Sequence, residues 1–148
     1  MGPTQRFFEY VEEFEKTYDD DDWSRLERFF APDAVYEVRN TVFACRIEGP
    51  TAILRGIRKS LDGFDRLLEK RTLGLADGPT EDGDRVTFGW TATYDAPGAP
   101  PLVLRARSTA RYRGDVIVEL VDEYPDGMDA EAAAWSRAYA PGMDASYL

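Results

Sequence analysis

The run Val116-Ile117-Val118-Glu119-Leu120-Val121-Asp122-Glu123-Tyr124 reads as a strand that carries the chain's best candidate for chemistry. Alternation puts Val118, Leu120, Asp122 and Tyr124 on one face and Ile117, Glu119, Val121 and Glu123 on the other. Asp122 is then the odd member of an apolar face. A carboxylate walled by Val118 and Leu120 has its charged form disfavoured and its pKa raised, which suits a general acid or base. The alternative is that Asp122 sits at the strand end and caps a loop or pairs with an arginine. Tyr36 and Tyr18 are the phenols to set beside it, because a buried hydroxyl needs a partner and a carboxylate supplies one.

The sequence has no histidine and one cysteine, Cys45. A Ser-His or Cys-His nucleophile and a nitrogen- or sulfur-ligated zinc site are therefore excluded. Carboxylates, tyrosines, lysines or arginines must move any protons, and no metal or other cofactor is expected. Asp19 to Asp22 could suggest calcium, but the glycine and terminal glutamate of a binding loop are missing, so the run reads as solvated charge before a helix.

These residues need elements to position them. Phe7, Tyr10, Val11, Phe14 and Tyr18, three and four apart, predict a first helix over about residues 4–18. Asp22 is placed to cap a short second helix whose greasy face is Trp23, Leu26, Phe29 and Phe30. A tight Ala31-Pro32-Asp33 turn then leads into a strand over 34–39, a turn near Asn40 and a partner strand over 42–47. Gly49-Pro50-Thr51 opens a third helix with Ile53, Leu54, Ile57 and Leu61 as its stripe and Gly63 as its stop. Four strands follow, over about 66–76, 85–95, 102–112 and 116–124. They are separated by Asp77-Gly78-Pro79 with Glu81-Asp82-Gly83, by Ala96-Pro97-Gly98 and by Arg113-Gly114-Asp115. A last helix spans about 129–139.

Length limits the 148 residues to one domain, with a core over about 4–126 and a C-terminal helix and tail over 127–148. Net charge −10 opposes nucleic acid and anionic membrane surfaces. No apolar run spans a bilayer, the start lacks the regions of a signal peptide, and the single cysteine fits a reducing compartment, so a soluble, cytoplasmic protein is expected.

The element order, with the Asp22-Trp23 to Tyr36 stretch, Glu48-Gly49-Pro50-Thr51-Ala52-Ile53 and Ile117-Val118-Glu119-Leu120-Val121-Asp122, resembles the SnoaL-like branch of the nuclear transport factor 2-like (NTF2-like) superfamily. The resemblance implies an α+β cone: a curved antiparallel sheet wrapped around a pocket, three helices in the N-terminal half and one at the C-terminus. It also implies a catalytic aspartate at Asp122, where SnoaL-like cyclases and limonene epoxide hydrolases keep an acidic residue, and a water-positioning tyrosine at Tyr36. The pattern then departs. The hydrolases' asparagine falls on Val38, and their arginine and aspartate fall on Trp90 and Ala92. The base aspartate, oxyanion tyrosine and protonated aspartate of ketosteroid isomerases fall on Val38, Phe14 and about Ser108. Dehydratases of the superfamily rely on a histidine that is missing here.

The expected pocket wall is apolar and aromatic: Phe14, Trp23, Phe30, Val38, Phe43, Phe88, Trp90, Tyr94, Leu104, Leu120 and Tyr124, with Ser108 and Asp122 as polar points. Much of such a set is ordinary core. Arg105, Arg107 and Arg111 form a basic face placed outside, to meet Glu119 or Glu123, on a sheet face where many relatives dimerise. Glu69 and Arg71 could be an inward ion pair, with Lys70 and Thr72 competing. Trp135 and Tyr139 give the C-terminal helix a stripe that closes the pocket mouth or embraces a second subunit. The expected function is a cofactor-free acid/base enzyme of isomerase or polyketide cyclase type on a small hydrophobic molecule, as a homodimer. The alternative is a non-catalytic binding module or dimer scaffold.

Overall fold

The computed structural model describes all 148 residues. Helix α1 (Pro3–Asp20) starts on a proline, whose fixed φ suits the first turn, and ends where Asp21 turns left-handed at φ 62°. It buries Phe7, Tyr10 and Thr17. The next element, Trp23–Phe29, is a 3-10 helix. Contrary to expectation, Asp22 makes no side-chain cap to its backbone; the Asp22 carboxylate accepts from Ser24 Oγ at 2.6 Å.

Strand β1 (Phe30–Arg39) begins four residues earlier than expected. Ala31-Pro32-Asp33 lies within it, as an irregularity in pairing between Phe30 and Val35. The reason is burial: Ala31 and Ala34 are held in the core while Pro32 and Asp33 are exposed, so the chain bulges instead of reversing. β2 is shortened to Cys45–Glu48, and α2 runs Pro50–Gly63. A further 3-10 turn, Asp65–Leu67, takes up what was expected to be strand, so β3 is Lys70–Asp82. Asp77-Gly78-Pro79 does not separate strands but is a second irregularity inside β3. This is the sheet edge, where a proline forfeits no ladder bond, and the Asp77 carboxylate accepts from Gly89 N–H at 3.1 Å. β4 (Arg85–Asp95), β5 (Leu102–Arg113) and β6 (Val116–Glu123) complete the meander, and α3 (Met128–Tyr139) follows.

The sheet order is β2-β1-β6-β5-β4-β3, antiparallel except where β6 returns beside β1 in parallel. One apolar cluster joins α1 and α2 to β1 and β6. A second joins Phe64, Ala92, Tyr94 and Leu102 to Met128 and Trp135 of α3. No helix is long and apolar enough to cross a membrane.

As expected, Arg107 and Arg111 of β5 lie opposite Glu123 and Glu119 of β6; the ion pairs, however, run elsewhere, from Arg105 to Glu131 of α3 at 3.5 Å and from Arg107 to Asp77 at 3.1 Å. The carboxylates of Asp20 and Asp21 are held by Arg25, Arg58 and Arg66.

Candidate active site

Between the sheet and helices α1, α2 and α3 lies a cavity of about 520 Å³. Strand alternation turns Phe88, Trp90, Ala92 and Tyr94 of β4, Leu104 and Ser108 of β5, Leu120 and Asp122 of β6, and Tyr36 and Val38 of β1 toward it. Phe14 of α1, Phe43 of the β1–β2 loop and Tyr124 also line it. α3 closes one side of the chain's own cavity with Met128, Ala132 and Ser136. The helix is tied down by Asp129, whose carboxylate accepts from Thr41 Oγ1 and Val42 N–H at 2.6 Å each.

Asp122 forms the wall at one end. β6 pairs with β5 so that Asp122 faces Ser108, and with β1 so that it faces Val38, two residues from Tyr36. The carboxyl accepts from Tyr36 Oη at 2.7 Å on Oδ2 and from Ser108 Oγ at 2.5 Å on Oδ1. Ser108 Oγ in turn accepts from Trp90 Nε1 at 2.8 Å. An indole N–H can only donate, so the serine oxygen must accept there and send its hydrogen to Asp122. Burial raises the Asp122 carboxyl above the ordinary range, and the hydroxyls of Ser108 and Tyr36 only oppose that rise. Tyr36 is pushed well above its usual value, first by burial and then by the Asp122 charge, so it stays a protonated donor.

Asp65 stands at another point of the wall. Its Oδ2 accepts from Tyr94 Oη at 2.8 Å and from Arg71 Nε at 3.2 Å. Arg71 also reaches Glu15 of α1 at 3.1 Å and lies over the Tyr18 ring, 4.3 Å from its centre. The inward ion pair of β3 is therefore Arg71 with Asp65 and Glu15; Glu69 is exposed. Asp65 had no signal in the sequence, because it sits in a turn with no period.

Three expected site residues are not in the cavity wall. Tyr18, at the end of α1, turns its ring to the guanidinium groups of Arg71 and Arg66. The Trp23 indole donates to Asp21 Oδ1 at 2.6 Å and packs edge-on against Phe14. Phe30 is buried in the core against Tyr10, ring centres 5.5 Å apart. Helical spacing marks a buried face without saying whether core or cavity lies behind it.

Among the cavity residues that were not expected, Tyr147 stands out. It reaches in from the segment after α3, its ring 5.8 Å from that of Tyr36. The segment lies along α2, where Asp144 N–H donates to Gly63 O at 3.0 Å, Ser60 Oγ to Ala145 O at 2.6 Å and Lys59 Nζ to Ser146 Oγ at 2.7 Å. Gly56 and Gly63 are two helical turns apart and form the groove. A Cβ on Gly63 would overlap the Asp144 carbonyl oxygen, and one on Gly56 would lie 3.0 Å from Tyr147 O. Gly63 is thus required by the close approach of the segment as well as ending the helix. Two glycines seven apart on a helix face were the available signal.

The profile of the family described as SnoaL-like domain matches residues 11–120. No curated protein sequence matches the chain. Among solved structures, a hypothetical protein from Catenulispora acidiphila with a ketosteroid isomerase-like fold, in complex with trimethylamine, is 20% identical, with a TM-score of 0.63 over 90% of this chain and 98% of that one. An NTF2-like protein from Burkholderia thailandensis is 16% identical, with a TM-score of 0.67 over 90% and 98% of the two chains. A Bacillus subtilis protein proposed to be an isomerase is 19% identical, with a TM-score of 0.66 over 92% and 98%. At these identities the likeness shows the NTF2-like fold alone.

Proposed function

The chain belongs to the SnoaL-like family, and we propose that it is a cofactor-free acid/base enzyme of isomerase or cyclase type acting on a small hydrophobic carbonyl or polyketide-like compound. The observation that carries this reading is Asp122: a carboxyl on the wall of an apolar cavity, with a hydroxyl on each oxygen and its pKa raised by burial. Ionised, it takes a proton from the carbon next to the substrate carbonyl. The C–H electron pair becomes the C=C bond of an enolate, whose oxygen Tyr36 steadies. Where a C=C bond of the substrate is conjugated with the enolate, returning the proton to the far carbon of that dienolate moves the double bond and completes an isomerisation. Attack of the enolate carbon on a second carbonyl forms a C–C bond instead, and that carbonyl's oxygen takes the proton from Asp122. A positioned acid/base group contributes about 10²–10⁴ in rate. The cavity volume of about 520 Å³ suits one compact ring system.

The test is deuterium uptake by 2-tetralone at the carbons beside its carbonyl, followed by NMR in D₂O. The parent should accelerate uptake, and Asp122→Asn should lose about 10²–10⁴ of that acceleration. Uptake at the parental rate in Asp122→Asn would move the acid/base group elsewhere.

A second reading, a non-catalytic binding module or dimer scaffold, is favoured by Val38 and Phe14, apolar where ketosteroid isomerases carry a base and an oxyanion donor. Tight binding of 2-tetralone by the parent without accelerated uptake would select it. Both readings take a second copy of the chain as partner through the outer sheet face, which sedimentation at micromolar concentration checks.

A further inference from the structure

The hydrogens around Asp122 can be followed one by one. Trp90 Nε1–H goes to Ser108, the Ser108 hydroxyl to Asp122 Oδ1 and the Tyr36 hydroxyl to Oδ2. Ser60 donates to the Ala145 carbonyl. When Asp122 takes up a proton, Oδ1 is already receiving the Ser108 hydrogen, so the new proton sits on Oδ2 and is offered to Tyr36. While Asp122 is ionised, every donor in this chain of groups therefore points at its neighbour and not into the cavity; once Asp122 is protonated and donates to Tyr36, the Tyr36 hydrogen is released toward the cavity.

Tyr147 is different. Its ring meets that of Tyr36 at 62°, it lines the same cavity, and the hydroxyls beside it, Tyr36 and Ser60, have their hydrogens directed elsewhere while Asp122 is ionised. Burial keeps its phenol protonated. The segment that carries it is seated by main-chain contacts in the groove of Gly56 and Gly63, which fix where the ring enters the cavity. The one cation of the cavity wall, Arg71, is taken by Asp65 and Glu15, so no free positive charge stands beside Asp122, and Trp90 and Tyr124 meet edge-on at 6.5 Å. Such a site repels an anion and offers a flat uncharged molecule aromatic walls and a hydroxyl hydrogen.

We infer that Tyr147 is a substrate-contacting residue that donates a hydrogen bond to the acceptor oxygen of an uncharged ligand, beside the Tyr36–Asp122 pair. This rests on the acid/base reading of the same site and names the class of oxygen that the site takes.

The probe pair is 2-tetralone and tetralin, which share a ring system and differ in the carbonyl. Binding is measured by titration calorimetry, and the C=O stretch of bound ketone by infrared difference spectroscopy. The parent should prefer the ketone, with its stretch lowered from the value in hydrocarbon solvent. Tyr147→Phe should weaken ketone binding by about 2- to 10-fold, the range of one net hydrogen bond, leave tetralin unchanged and return the stretch toward the hydrocarbon value. Gly63→Ala, which must lift the segment out of its groove with the phenol intact, should lose the same preference. Tyr124→Phe and Tyr10→Phe, which alter two further phenols of the wall, should move the stretch less than Tyr147→Phe. The inference is overturned if the parent does not prefer the ketone, if the stretch is the same in Tyr147→Phe, or if ketone and tetralin weaken together. The two readings fail separately. A Tyr147-dependent stretch without Asp122-dependent deuterium uptake would leave a binding site that is not catalytic. Asp122-dependent uptake with an indifferent stretch would leave the enzyme and remove Tyr147 from it.

Discussion

Two carboxyls stand in the wall of one cavity, each bound by a tyrosine hydroxyl at nearly the same distance, 2.7 Å at Asp122 and 2.8 Å at Asp65. What separates them is the next neighbour. Asp65 has the Arg71 guanidinium at 3.2 Å, itself shared with Glu15; Asp122 has the Ser108 hydroxyl at 2.5 Å and no cation. Burial raises both carboxyls. At Asp65 the opposing influence is led by a full positive charge, whereas at Asp122 it comes from two neutral dipoles, which stabilise a carboxylate less. The contrast separates a carboxylate that is held from one that is free to exchange its proton, and it is the reason for assigning chemistry to Asp122 and architecture to Asp65.

The largest effect that could break this contrast is removal of the cation. The side chains of Arg71 and Asp65 are only 10% and 12% exposed, so Arg71→Met leaves a carboxylate in the wall with no counter-charge. Breaking a buried pair on one side costs about 3–5 kcal/mol. Denaturant titration at pH 7 should show a loss of that order. Much of it should be recovered in Arg71→Met with Asp65→Asn, where no charge is stranded. A loss below about 1 kcal/mol, the worth of an exposed pair, would mean that Asp65 does not depend on Arg71 and that the two ends are alike.

The next effect concerns Asp122 alone. Its folded pKa is raised above the unfolded value of about 3.9, so the carboxyl's contribution to stability is complete below that pH and is lost as pH climbs through the folded value. Asparagine cannot ionise. Its amide oxygen can keep the Ser108 bond while its N–H₂ donates to Tyr36, the arrangement that a protonated Asp122 adopts. Asp122→Asn should therefore melt above the parent near pH 7, by about 2–4 °C for each kcal/mol in a chain of this size, and the two curves should converge toward pH 4. A variant that melts lower at pH 7, by the same margin at both pH values, would make Asp122 a satisfied structural carboxylate like its counterpart.

The same contrast explains what the sequence could tell. Asp122 was legible because it is the one polar residue among Val118, Leu120 and Tyr124 at period two, although both faces of β6 turn out to be buried at Ile117, Val118, Leu120 and Val121. Ser108 was a polar point of the expected wall and Tyr36 a candidate phenol. That they meet on Asp122 depends on the registers of β5 and β1 against β6, which no local pattern contains. Asp65 lies in a three-residue 3-10 turn, and Arg71 on an edge strand exposed on both faces, so neither has a buried period to give its direction away. Tyr147 lies in a segment without regular structure, and its place is recorded only in the glycines of another element. Tyr18 was misplaced because a phenol at the end of α1 can be claimed by guanidinium groups as readily as by a cavity.

The smallest effect sharpens the comparison most. Ser108→Ala removes the donor on Oδ1, which lowers the Asp122 pKa, so the midpoint of Asp122, followed by carboxyl ¹³C NMR, should move upward. Stability at pH 7 should fall by about 1 kcal/mol and less at acid pH, because a neutral carboxyl needs the bond less than a carboxylate does. Tyr94→Phe removes a single hydroxyl from Asp65 in the same way, yet Arg71 remains at 3.2 Å, so the midpoint of Asp65 should rise by less than that of Asp122. Equal movements would mean that the guanidinium screens Asp65 no better than a hydroxyl screens Asp122. Unequal ones, in the expected order, would show that one end of the wall is set by charge and the other by two hydroxyls, and that only the second can lend its proton.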